Sequence, residues 1–229
     1  MNKYNITRKQ NLINKKAFTL AEVLITLGIV GVVAAMTLPQ LIKGHQKSVV
    51  ESRLSHFYSM INQAVKMSTI DNGEPEIWTI NTGESVTCES NLEFLNHYIL
   101  PYLKTKNTEC MDVYDYTGQI LVRLENGSAF TLNRSQGIDI VFLPYGKVLA
   151  KSELNRKNFF VFQLMKNAYK NSSVINSKHG IEPYTYMWDG TIENLKSGNK
   201  YGCYTGLLGN YCAKLIQLNG WKIPKDYPW

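Results

Sequence analysis

The stretch Lys15-Lys16-Ala17-Phe18-Thr19-Leu20-Ala21-Glu22-Val23-Leu24-Ile25-Thr26-Leu27-Gly28-Ile29-Val30-Gly31-Val32-Val33-Ala34-Ala35-Met36-Thr37-Leu38 decides how this chain is built. A basic head gives way to an apolar run in which Glu22 is the only charged residue before Lys43. At about 1.5 Å rise per residue, a helix from Phe18 to Leu38 is long enough to cross a hydrocarbon core of about 30 Å. A carboxylate in such a run costs roughly 2.5–3.5 kcal/mol at the helix centre, so Glu22 demands a functional explanation. Its place near the basic end lets it reach the headgroups, which relieves part of that cost without accounting for its presence.

Two plainer readings compete. A cleaved secretory signal has an apolar core of about 7–15 residues, whereas this run is longer and holds the only acid inside it. An ordinary signal anchor has no use for Glu22 so soon after Phe18-Thr19-Leu20. The string resembles the cleavage and methylation signal of the type IV pilin and pseudopilin superfamily. Basic residues Lys15 and Lys16, a small residue, Phe-Thr-Leu-x-Glu and an unbroken apolar helix carry the likeness. It implies that a prepilin peptidase/methyltransferase cuts between Ala17 and Phe18 and methylates the new amino group of Phe18. Glu22 would then pair with the terminal amine of a neighbouring subunit during assembly. The family usually has Gly where this chain has Ala17, and alanine, also small, is a known variation. Pro39 falls where many of these proteins carry a proline that kinks or locally melts the helix. The implied partners are the peptidase, other pilin or pseudopilin subunits, an inner-membrane assembly platform and membrane lipid.

The formal charge of +7 belongs mostly to the leader. Lys3, Arg8, Lys9, Lys15 and Lys16 precede the proposed cut without an acid among them, and the remainder carries +2. Positive charge ahead of an apolar helix keeps the N-terminus cytoplasmic and sends the bulk of the chain across the membrane. Once the leader is removed, charge makes no case for nucleic acid as a partner, and none is expected. Cys88, Cys110, Cys203 and Cys212 all follow the membrane segment. An even number in an exported domain points to two disulfides with three possible pairings, of which the local pairs Cys88–Cys110 and Cys203–Cys212 are preferred. Zinc is the competing use, but there is no C-x-x-C and no histidine pair nearby.

Gly28, Gly31 and Ala35 share one side of the apolar helix and would let another helix approach closely. Beyond Pro39 and Gly44 the pattern becomes amphipathic. Val50, Leu54, Phe57, Ile61 and Val65 recur at spacings of three and four, and Asp71-Asn72-Gly73 is a stop signal. Ser90-Asn91-Leu92-Glu93 offers a cap for a helix through Leu95 and Ile99, ended by Pro101. Residues 119–124 and 128–132 flank Glu125-Asn126-Gly127 and predict a hairpin. Ile138–Leu143 and Asn158–Leu164 predict two further strands, and Tyr184, Tyr186 and Trp188 alternate as a short edge strand. The segment 137–142 with Gly146 and Lys147 is also similar to the core sheet of pseudopilin-like proteins. Residues 167–201 read as long loops, and Tyr211–Leu218 as a helix capped by Gly220. The tail from Gly220 to Trp229 resembles the C-terminal signature of a group of prepilin-like proteins. It reads as a strap laying Trp221 and Trp229 on the core, with a binding surface as the alternative.

These patterns predict an α+β fold in which a long N-terminal helix packs on a small, mainly antiparallel sheet. The expected division is a leader over 1–17, a transmembrane and assembly helix over 18–38, its amphipathic continuation over 39–72 and an exported domain over 73–229. No G-x-S-x-G, H-E-x-x-H or Walker-type loop is present, so an enzyme is not expected, nor any cofactor. His45, His56, His97 and His179 are scattered. Asp112, Asp115 and Asp139 could offer oxygens to calcium, yet without an Asp-rich loop they read as exposed acids and no metal is expected. Three function classes follow. The first is a subunit, major or minor, of a type IV pilus or a type II secretion pseudopilus. The second is a tip subunit that binds a surface, a partner or DNA. The third is an anchored exported domain that is never processed.

Overall fold

A computed structural model describes residues 18–78, 86–113, 116–133, 138–148, 150–165, 180–198, 200–205 and 209–229. Helix α1 spans Leu20–Asn72. The chain forms two compact units, 1–45 and 46–229. In the first, every described residue is exposed except half-buried Ala34. Pro39 lies inside α1, where its missing N–H leaves the Ala35 carbonyl without its usual helical donor.

The second unit begins on α1 at Gln46 and is built on a six-stranded antiparallel sheet. Strands β1 (Thr105–Val113), β2 (Tyr116–Leu124), β3 (Ala129–Asn133), β4 (Asp139–Leu143), β5 (Phe160–Met165) and β6 (Gly180–Pro183) lie side by side in chain order. Val50, Leu54, Phe57, Ile61, Ala64 and Val65 form the buried stripe of α1. At its centre Phe57 stacks on Phe142 at 4.4 Å and meets Phe162 edge-on at 5.3 Å and Phe130 at 5.6 Å. These three phenylalanines come from β3, β4 and β5, and Phe130 is the direct cross-strand partner of Phe142. One helical residue therefore ties three strands to the spine.

Val141 and Val161 alternate to the other face and are also buried, as are Leu121 and Thr131. Burial on both faces explains why β4 and β5 read as continuous apolar runs rather than alternating ones. The hairpin of residues 125–128 forms as expected, with Gly127 at φ +80° and Asn126 Oδ1 accepting from Ser128 N at 3.0 Å. Gly146, φ +64°, packs on it so closely that a Cβ there would lie 2.4 Å from Gly127 O. Arg53 of α1 donates to Asn126 O at 2.9 Å and also to Pro144 O, holding both turns against the helix.

Helix α2 (Cys88–Tyr98) packs on β2, and Ile99 and Pro101 close it in a 3₁₀ turn. Its cap is Thr87, not Ser90. Thr87 Oγ1 accepts from Ser90 N at 3.2 Å while Ser90 Oγ accepts from Thr87 N at 3.0 Å, so Ser90 closes a capping box from three residues in. The sheet has six strands, the four core strands expected plus one at each edge. Strand β1 is polar and irregular, and β6 is four residues long between Gly180 and Pro183, so neither shows an apolar alternation. The edge strand expected over 184–188 is displaced: β6 ends at Pro183, and the chain turns at Met187, φ +62°.

Helix α3 (Cys212–Leu218) ends in a Schellman motif, in which Gly220 N and Trp221 N donate to Gln217 O and Ile216 O. The tail then crosses back to α1. Glu51 accepts from Lys222 Nζ and Ile223 N, both at 2.9 Å, and the Trp221 ring lies 4.9 Å from Tyr58. Trp221 and Trp229 are only half-buried, and Tyr227 is the buried residue of this strap, its hydroxyl donating to Arg156 O at 2.6 Å. Two disulfides, Cys88–Cys110 and Cys203–Cys212, tie α2 to β1 and the loop after 200 to α3.

Candidate processing and assembly site

Ala17, Lys15 and Lys16 lie outside the described residues, as do Asp115, His179 and the side chain of Asp112. Phe18, the residue that would carry the new amine, is 85 % exposed. Immediately after it, Thr19 acts as the N-cap of α1. Its carbonyl accepts from Val23 N at 3.2 Å, and its Oγ1 accepts from Glu22 N at 3.2 Å. Glu22 answers with one oxygen: Oε2 accepts from Thr19 N at 2.9 Å and from Thr19 Oγ1 at 2.8 Å. Four residues thus make a reciprocal capping box, with the acid in the first turn where the helix dipole favours it. The other carboxylate oxygen, Oε1, has no partner among the described residues.

The two carboxylate oxygens of Glu22 are thus chemically distinct. One oxygen fixes the start of the helix and the orientation of the carboxylate. The second is left free of these bonds and could accept from a cation. Thr19 was the part not anticipated, although Thr19-Leu20-Ala21-Glu22 is the S/T-x-x-E spelling of a capping box. Further along, a Cβ added at Gly28 or Gly31 meets nothing within 4 Å, so the space beside both glycines is open.

Elsewhere the candidate chemistry disperses. His45, His56 and His97 are exposed, and no group of three or more metal-ligating side chains occurs among the described residues. Asp139 is not an exposed acid: burial in the sheet pushes its carboxyl up to about 6, against a hydrogen bond from Gln163 Nε2 at 3.2 Å. The late aromatics are mostly turned inward. Tyr184, Tyr211 and Tyr227 are buried, and Trp188, Tyr201, Tyr204, Trp221 and Trp229 pack half-buried on the core, leaving Tyr186 exposed.

Comparison with known families divides the chain at Pro39. Residues 12–38 match the prokaryotic N-terminal methylation motif. Residues 40–229 match a family of unknown function, DUF6613. The chain belongs to that family. Neither a curated protein nor a solved structure gives a match. In this DUF6613 member the motif covers the capping box, Phe18 and the whole apolar run, while the family region covers the sheet and its helices. The motif makes the chain a precursor of the type IV pilin or pseudopilin type, with an apolar helix suited to anchoring in a membrane. A signal of this kind implies processing by a prepilin peptidase and assembly with other pilins.

Proposed function

We propose that this DUF6613 protein is a structural subunit, major or minor, of a type IV pilus or a type II secretion pseudopilus. It is made as a precursor with a cytoplasmic leader over 1–17, cut after Ala17 and N-methylated at Phe18. Residues 18–38 then hold it in the inner membrane, 39–72 continue the spine, and 73–229 form the exported domain. The observation that carries the reading is the exposure of the whole apolar circumference from Phe18 to Ile42, with Glu22 as its only charge. Apolar surface of that extent requires lipid or neighbouring helices. In either setting an unpaired carboxylate is costly, and the cationic amine of a neighbouring Phe18 is a matching partner for Glu22 Oε1. A neighbour slipped along the fibre would leave both charges unpaired, so the pair also selects register.

Burial of the late aromatics favours a structural subunit over a surface-binding tip, because such rings stabilise the domain instead of presenting a contact patch. The leader's basic residues orient the precursor with its N-terminus inside. The deciding experiment is the intact mass and N-terminal sequence of the protein purified from its own membranes. A chain beginning at N-methylated Phe18 is the expected result. A chain that still begins at Met1 overturns the reading in favour of an anchored, unprocessed domain, and a cut beyond Leu38 would make it a secreted protein.

A further inference from the structure

An open helical assembly joins each copy to the next through two different surfaces, since identical patches meeting across a two-fold axis close into a dimer. The second unit carries two unlike concave patches that suit this requirement, and the inference drawn from them rests on the fibre-subunit reading above. The first is a cleft of about 380 Å³ lined by Gln46 of α1, Tyr145 and Lys147 after β4, and Asn155, Lys157 and Asn158 before β5. Lys157 Nζ lies 5.6 Å from the centroid of the Trp229 ring, and Lys47 Nζ lies 5.7 Å from the same centroid. The indole thus gathers two ammonium groups at the border of the cleft, and Lys147 adds a third.

None of these lysines forms an ion pair among the described residues. The carboxylate of the same loop, Glu153, accepts from Ala150 N at 3.0 Å. The Asn155 and Asn158 amides are engaged in shaping the loop, both donating to Glu153 O at 3.1 Å. What the cleft leaves unmatched is positive charge.

The second patch is the outer face of α2, a shallow concavity of about 470 Å³ bordered by Glu89, Leu92, Glu93, Asn96 and His97. Glu89 and Glu93 stand one helical turn apart, exposed and without an ion pair among the described residues. The Thr87–Ser90 box and the Cys88–Cys110 bond fix this turn, so the two carboxylates are presented with little ordering cost.

We infer that the acidic face of α2 on one copy docks against the basic cleft of the next, Glu89 and Glu93 meeting Lys147 and Lys157. Contacts of this kind set register and partner choice more than affinity, and the high local concentration along a fibre makes a weak contact effective. The test uses fibres assembled from an equal mixture of unlabelled and nitrogen-15-labelled full chains, treated with a carbodiimide that joins carboxylate to amine without a spacer. Mixed-isotope links from Glu89 or Glu93 to Lys147 or Lys157 are expected. Reversing Lys147→Glu and Lys157→Glu should lower fibre yield about tenfold, and adding Glu89→Lys and Glu93→Lys to the same chain should restore it, as complementary charge requires. Fibres that form without those mixed links, or whose yield is indifferent to the reversal, overturn the docking while leaving the fibre reading intact. A wild-type chain that is processed yet never forms or joins a fibre overturns both. The linkage map needs no variant, so a reversal that misfolds does not shield the inference.

Discussion

One oxygen of Glu22 accepts both hydrogen bonds from Thr19, so deleting this carboxylate and merely neutralising it are different experiments. Glu22→Gln keeps a capping-box partner but loses the charge, whereas Glu22→Ala loses both. Each should still insert and be processed, and each should lower incorporation into fibres by more than about tenfold, the equivalent of about 1.4 kcal/mol. Immunoblots of sheared fibres against membrane fractions measure this, and wild-type incorporation of Glu22→Gln would remove the charge-pairing role. Asp139 supports a prediction of a different kind. Its carboxyl sits at about 6 rather than 3.8 because the sheet excludes water from it. The folded state therefore holds this proton more tightly than the unfolded chain does. Below about pH 4 both states are protonated and there is no cost; as pH rises through 6 a penalty of about 3 kcal/mol accrues. Asp139→Asn, which still accepts from Gln163, should match the wild type near pH 4 and melt higher at pH 7.5. Melting of the full chain in detergent at the two values checks this, and equal melting at pH 7.5 would contradict it.

At the scale of elements, the sheet and its spine meet through Phe57. Phe57→Ala leaves a void among Phe130, Phe142 and Phe162 and should cost about 3–5 kcal/mol. For a domain of this size that lowers the melting temperature by roughly 10 °C, readable by circular dichroism. A loss under about 1 kcal/mol would mean that the helix is held elsewhere. What was legible in the sequence follows from how strongly each element depends on its own residues. The spine, the 125–128 hairpin and strands β3, β4 and β5 carry their periodicity or turn chemistry locally, and their residues could be picked out in advance. Strand β1 has no such signal: Thr105-Lys106-Asn107-Thr108-Glu109 is polar and is held by register with β2 and by Cys110. Strand β6 is paired through tertiary contacts alone, between a glycine and a proline that argue against a strand. Misplacing the α2 cap had a simpler cause, since both Thr87 and Ser90 are capping residues and the box uses both.

Seen as a whole molecule, the second unit has two sheet edges, and each is occupied or distorted. Strand β1 is irregular near Thr105–Asn107 and Met111–Val113, with Lys106 exposed on it. At the other edge, Asn62 of α1 treats β6 as a strand would. Its Nδ2 donates to Ile181 O at 2.7 Å and its Oδ1 accepts from Ile181 N at 2.9 Å. Gly180 is required beside it, because a Cβ there would lie 2.5 Å from Asn62 Oδ1. Asn62→Ala should cost only about 1–2 kcal/mol in stability. Its larger effect should be on association: the concentrated full chain in detergent, stable in the wild type, should slowly bind thioflavin T. Unchanged dye binding at matched concentration would show that β6 is guarded by other means. On the proposed function, a subunit exported in order to polymerise would face a hazard that other secreted domains escape, since crowding would be its working condition. The side-chain amide of Asn62 imitates a peptide group and ends the sheet with it, so that copies of the proposed subunit could crowd together through their helices without the irreversible stacking of strand on strand.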